Sequence, residues 1–449
     1  MVPDPPFEHV LRLTDERGIF EHADGVSPRH ECGYCLDDVA RALMVVCRQR
    51  PMTPTLERLA GVYLRFITRA QAPDGRCHNR LDRHGRWTDR PDAGDWWGRA
   101  LWGLGTAAAR GPQPIRVAAL ASFDLSAAQR SQHLHSLAFA ALGAAEVLTA
   151  YPGHRPTTPT LAKLTDVYFR FIARAQAPDG RCHNRLDRHG RWEDRPETGD
   201  WWGRALWGLG TAAARCSEQR TRESALARFD LSAVQRSPYL HSMAFATLGA
   251  AEVLSAHPGH RPALELLAAF VPLTRRPDFS SDWPWPQPRL SYANAAIAEA
   301  LIAAGSGLAN DDVLADGLGL LGWLLDLETF EGHMSVTPAG GWAPGEPRPA
   351  FDQQPIEVAA LADACLRAFE LTGDNRWADG LDRAIDWFLG DNDSHLALYD
   401  PNSGGGCDAL TPRGRNTNQG AESTLAMVAT LQHAAHRSPH SRRLVSVGS

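Results

Sequence analysis

The chain has 449 residues, a formal charge of −6 and 43% hydrophobic residues, so it can build a large core and offers no electrostatic case for nucleic acid. Lys163 is the sole lysine, and the arginines are spread along the chain instead of forming a phosphate-binding patch. No apolar run reaches the length of a membrane span, and MVPDPPFEHVLRL has no signal-peptide core. The expectation is a cytoplasmic chain with Cys32, Cys35, Cys47, Cys77, Cys182, Cys216, Cys365 and Cys407 as thiols.

Taken in order, the elements have helical period. Leu56, Leu59, Val62, Tyr63, Phe66 and Ile67 follow i, i+3, i+4 spacing, as do Leu101, Leu104, Ala107 and Ala108, and later Leu361, Cys365, Ala368 and Phe369. RCHNRLDRHGRW, around Gly85 and again around Gly190, reads as a short hairpin within a loop. Two kinds of helix alternate. One kind opens on a polar or aromatic motif: GYCLDDVAR at 33–41, GDWWGRA at 94–100 and 199–205, RSQHLHS at 130–136 and RSPYLHS at 236–242. RLSYANA at 289–295, FDQQPIE at 351–357 and NQGAEST at 418–424 continue the series. The other kind starts plainly, at 55–70, 116–128, 159–175, 221–234, 261–274, 309–327 and 374–389. A ring of helical hairpins gives such alternation. Inner helices turn their N-termini, with free N–H groups and positive dipole ends, to one mouth, and outer helices cover them.

Residues 71–108 recur as 176–213, with Glu193 for Thr88, Glu197 for Asp92 and Thr198 for Ala93. FDLSAAQRS from Phe123 recurs from Phe229, and LAFAALGAAEVL from Leu137 recurs from Met243, each with small changes. The copies span roughly 53–157 and 158–261, about 105 residues each. Two copies flanked by unrelated sequence indicate a duplicated segment inside a larger fold. The expected class is all-α, an (α/α)6-type toroid enlarged by this duplication. One domain would occupy 1–436, with a polar, disordered tail at 437–449.

LTDERGIFEHADG and PRHECGYCLDDVARAL within 13–43, WPWPQPRLSYANA at 283–295 and GWAPGEPRPAFDQQPIEVAA at 341–360 carry a resemblance, with WFLGDND at 387–393 and NTNQGAESTLA at 416–426. They resemble a bacterial family of six-hairpin glycosidase-like domains, often labelled glycosyltransferase and similar to domains attached to family 4 glycosyltransferases. The resemblance implies a carbohydrate-active protein that cleaves or transfers glycosidic bonds, with a sugar substrate and a separate glycosyltransferase as partner. No αβ nucleotide-sugar pattern accompanies it, so the transferase domain itself is not here. The family tends to have Glu where this chain has Gln287, which implies an alternative: a module that binds glycan without turnover. A sugar epimerase using His residues (His22, His78, His183, His333, His395) is a second alternative.

Glycosidic chemistry needs two carboxyl groups across the bond. Candidates at motif-headed helices are Asp38, Asp352, Glu357 and Glu422. Each has a structural reading beside the catalytic one: Asp37 as a cap with Asp38 paired to Arg41, Asp352 as a cap before Pro355, and Glu422 as a first-turn acid. Substrate-binding candidates are Asp95, Trp96, Asp200, Trp201, Trp285, Tyr292, Asn294, Trp342, Gln353, Gln354 and Gln419, with Trp97 and Trp202 as further stacking groups or core. His30, Cys32 and Cys35 form a weak metal pattern, since no second CxxC follows. No metal is expected. No P-loop, dinucleotide fingerprint or Ser elbow is present, so no cofactor is expected either.

Overall fold

The computed structural model describes residues 4–127, 129, 131, 133–151, 174–184, 191–215 and 219–445. Its helices are α1 (Glu8–Arg12), α2 (Leu36–Arg48), α3 (Pro54–Ala70), α4 (Asp95–Arg110), α5 (Gln113–Ala127), α6 (Leu134–Ala150), α7 (Asp200–Arg215) and α8 (Gln219–Ala233). They continue as α9 (Leu240–Ala256), α10 (Arg261–Phe270), α11 (Asn294–Gly307), α12 (Asp311–Leu327), α13 (Pro355–Thr372), α14 (Asn375–Leu389) and α15 (Ala421–Val445). Strands among the described residues are two- or three-residue pairs in loops. No described helix is long and apolar enough to cross a membrane.

The motif-headed helices α2, α4, α6, α7, α9, α11, α13 and α15 each pack on the next, and α15 returns to α2. Among the described residues, eight inner helices therefore close a ring, and both repeated segments contribute two of them. The plain helices α3, α5, α8, α10, α12 and α14 cover the inner helices α2, α4, α7, α9, α11 and α13. The plain helix expected at 159–175 lies outside the described residues except for its end, as do Lys163 and Cys216. The backbone of α15 runs on to Val445, and 446–449 lie outside the described residues.

Local chemistry explains the helix ends. Thr53 accepts a hydrogen bond from Leu56 N at 3.3 Å, and Pro54 follows as the first helical residue of α3. Asn310 caps α12 through Val313 N at 3.1 Å. Gly373 (φ 67°) ends α13 in the left-handed conformation that a side chain would oppose. Trp97 and Trp202, the same position in the two copies, are fully buried and anchor α4 and α7. They are core, not ligand-stacking groups. One contiguous set of buried side chains runs from Phe7 to Leu431. A Val, Leu or Ile so enclosed contributes about 1.5–3 kcal/mol each.

Loops complete the mouth at the inner-helix N-termini. The hairpin expected within RCHNRLDRHGRW forms only in part: Leu81 bridges Trp87, while Tyr34–Cys35 pairs with Arg80–Leu81. Cross-pairing carries Asn79 and Arg80 to the head of α2. The ring is tied shut where Ala421 N donates to Glu21 O (3.1 Å) and Gly25 N to Asn418 Oδ1 (3.2 Å).

Candidate functional site

Two cavities open on that mouth. The first, about 520 Å³, lies under the heads of α2, α4 and α15. Its floor carries Asp37 and Asp38, its flanks carry Asp95 with Trp96, and Glu422 faces in from α15. Adjacent helical residues diverge by about 100°, which suggests that only one of the two Asp residues should face the lumen. In fact both line the cavity, because it wraps around the first turn of α2.

The two carboxyls live in opposite environments. Arg41 bridges Asp37 (3.1 Å) and Glu422 (3.0 Å), and Arg99 Nε lies 2.6 Å from Asp37 Oδ1. Asp38 is 6% exposed and makes no hydrogen bond or ion pair among the described residues, so the alternative pairing with Arg41 belongs to Asp37. Burial pushes the Asp38 carboxyl up to about 7, opposed by Arg41 and reinforced by Asp37. Trp96 presents one edge of its ring, its Nε1 donating to Cys77 O at 2.9 Å.

Sequence reasoning missed Glu21, Asn79, Arg80, Arg99 and Asp408, all of which line this cavity. Arg99 carried a signal, as part of the repeated GDWWGRA. The others come from loops whose convergence no periodicity reports. Glu21 pairs with Arg80, and Asp408 accepts from Gly420 N at 2.9 Å. Donor atoms of Glu21, Cys35 and Asp38 lie within 4.8 Å of one another, a group able to hold a metal ion among the described residues. Arg80 pairs with Glu21, and burial pushes the Cys35 thiol up to about 12. His30 instead packs edge-on against Phe20 at 4.5 Å.

The second cavity, about 450 Å³, sits by the heads of α7 and α9. Asp200 accepts from Ser242 Oγ (3.0 Å) and Tyr292 Oη (2.9 Å). His241 stacks on Tyr292 at 4.5 Å and donates to its carbonyl oxygen at 2.8 Å. Tyr239 and Gln287 complete the wall. The structure thus brings Asp38, Asp95, Trp96 and Glu422 to one cavity and Asp200 and Tyr292 to another.

His22, named for the epimerase alternative, also lines the first cavity, whereas the remaining catalytic and substrate-binding candidates line neither. Trp201 is bonded to Cys182 O (3.0 Å) as Trp96 is to Cys77 O. Asp352 and Gln354 are exposed. Glu357 accepts from Ala293 N at 3.1 Å and is raised by burial. Asn294 is buried and closes on Ser291 through N (3.0 Å) and O (3.2 Å). Trp285 is buried on Trp323, and Trp342 donates to Glu346 O at 3.3 Å. Gln419 is enclosed by Ser403 (2.7 Å) and Asp400 (3.2 Å). Gln353 is fully enclosed: it accepts from Trp387 Nε1 (2.8 Å) and donates to Asp393 (2.5 Å) and Ala350 O (2.7 Å). Gln353→Leu strands those partners and is expected to lower stability by on the order of 3 kcal/mol, read as a shifted urea midpoint.

No protein-family model matches the sequence, and no curated protein does. Solved structures match it in fold. The chain aligns with an alpha-1,2-mannosidase from Trichoderma reesei at a TM-score of 0.51 and 10% identity, over 96% of this chain and 90% of that one. A sugar epimerase from a ruminal bacterium aligns at 0.49 and 12% identity, over 96% and 95%. A cellobiose 2-epimerase from Spirochaeta thermophila aligns at 0.46 and 11%, over 94% and 92%. At 10% identity the likeness to the mannosidase speaks to architecture alone, and the architecture of this chain is the all-α helical toroid.

Proposed function

We propose that the chain acts on glycosidic bonds of a carbohydrate held at the first cavity, with Asp38 as general acid and Glu422 as the second carboxyl. The observation that carries this reading is the divergence of the two carboxyls. A buried carboxyl without a hydrogen-bond partner, pushed up to about 7, shares the cavity with one that is ion-paired to Arg41, and two carboxyls in such different settings suit acid–base cleavage. Trp96 beside them offers an apolar edge for the C–H face of a sugar. A screen of oligosaccharides for new reducing ends tests it. Glu422→Gln is expected to lower turnover by about 10²–10⁴-fold with little change in ligand affinity. Product formation that is untouched by this change removes Glu422 from the mechanism.

Gln287 favours a second reading. An amide in the wall of the second cavity cannot transfer a proton as the expected Glu would, so binding without turnover is the outcome if no saccharide yields product. A separate glycosyltransferase belongs with that reading, as the enzyme that a glycan-holding chain would serve.

A further inference from the structure

The repeat places the same side chains in two settings, and one arginine differs. Arg99 and Arg204 occupy the same position of GDWWGRA. Each guanidinium lies over an equivalent ring, Arg99 on Phe139 at 4.3 Å and Arg204 on Phe245 at 4.0 Å. Arg99 is neutralised by Asp37 of the preceding inner helix. For Arg204 the preceding inner helix is α6, which has no acid in its first turn. Arg204 accordingly makes no ion pair and no hydrogen bond among the described residues. It lies one turn along α7 from Asp200, which lines the second cavity, so the two side chains share one face of the helix.

Other features of the second cavity point to a ligand. Both Asp200 oxygens are occupied by hydroxyl donors. Arg275 lines the wall, also without a side-chain partner among the described residues. Gln287 Oε1 is buried and unpartnered. Tyr239 and Tyr292 are 59% and 50% exposed, and His241 holds the Tyr292 ring in place. The first cavity has carboxylates in excess of arginines; the second is lined by one carboxylate and Arg275, with Arg204 one helical turn behind Asp200.

We propose that the second cavity binds an acidic sugar residue of the same glycan, with its carboxylate or sulfate oxygens on Arg204 and Arg275 and its ring against Tyr292. The site rests on the reading that the first cavity takes carbohydrate. Stacking on Phe245 occupies the face of the Arg204 guanidinium and leaves its in-plane N–H edge for a bidentate acceptor. An anion there relieves the cost of a half-buried, unpaired cation. Gln287 accepts from a sugar hydroxyl.

Calorimetric titration of the full chain with three short oligomers of one β-linked backbone tests it: neutral glucose units, glucuronate units, and sulfated glucose units. One of the acidic oligomers is expected to bind about 10–100-fold tighter than the neutral one, and which of them gains identifies the acid. Arg204→Gln is expected to abolish that gain, Arg204→Lys to restore part of it, and unchanged circular dichroism melting to show that both variants fold. Equal affinity for neutral and acidic oligomers overturns the proposal, as does an acid preference that survives Arg204→Gln. Asp38→Asn separates the two readings. Acid-selective binding with undiminished turnover in that variant sinks the assignment of Asp38 and leaves this site standing, whereas failure of every oligomer to bind ends both.

Discussion

Asp38→Asn is expected to remove turnover and, above neutral pH, to make the protein more stable. The activity loss follows from its role: an amide cannot donate the proton that the leaving oxygen needs, and such donors contribute about 10²–10⁴-fold. The stability gain follows from burial. The carboxyl rises from its ordinary 3.8 to about 7 on folding because water is withdrawn from it. A raised folded value means that the stability contributed is full below about 3.8 and is lost as pH rises through about 7. Above that, the folded state carries a buried charge at a cost on the order of 4 kcal/mol as an upper bound, and Asn does not carry it. Melting temperatures of wild type and variant should therefore coincide near pH 4, with the variant higher by a few degrees at pH 8. The wild-type rate should fall over the same interval as Asp38 loses its proton. A variant that melts lower than wild type at pH 8 would mean that Asp38 is a structural carboxylate with an unseen partner.

Gly143→Ala and Gly249→Ala are expected to destabilise strongly, against helix propensity, which on its own favours Ala by about 1 kcal/mol. A Cβ on Gly143 would sit 2.3 Å from Leu101 O and 2.8 Å from Trp102 Cα, all of it backbone of α4. Gly105 faces Gly143 O at 2.2 Å in the same seam. The second copy repeats this, with Gly249 against Leu206 O at 2.4 Å and Gly210 against Gly249 O at 2.0 Å. Backbone cannot move aside as a side-chain tip can, so α4 must part from α6, or α7 from α9. Overpacking of this kind costs at least about 2 kcal/mol. Urea midpoints measure it, and the two variants should fall alike, because each seam is one joint of the same closed ring. A stabilising Gly143→Ala would show that the first copy does not close the ring as described.

Much of this architecture is legible in the sequence, and the reason is physical. A helix that turns its N-terminus to a lumen must satisfy free N–H groups and meets solvent there, so its head is polar, while a covering helix has no such demand. The eight motif heads and the plain helices between them could be read for that reason. The grouping of side chains could not. Asp38 and Glu422 are far apart in sequence, and the loops that join them, around Glu21, Asn79 and Asp408, obey no period. Polar residues at helix heads also serve two ends that look alike in sequence: Gln353 and Gln419 hold loops together from inside, whereas Glu422 faces the cavity. The split into two cavities follows from which neighbour each repeated helix meets. Asp37 beside Arg99 and its absence beside Arg204 is a tertiary fact that near-identical sequences cannot announce.

If Asp38 and Glu422 flank a glycosidic bond, an oligosaccharide bound to Asp38→Asn in a crystal shows it by where it lies. A cavity of about 310 Å³ at the opposite end of the ring, walled by Trp102, Trp207, Arg48 and Glu146, offers a competing place for sugar. A glycosidic oxygen is expected about 3 Å from the residue 38 side chain, on the face nearer Glu422. A saccharide seated instead between Trp102 and Trp207, with the first cavity unvisited, would contradict it.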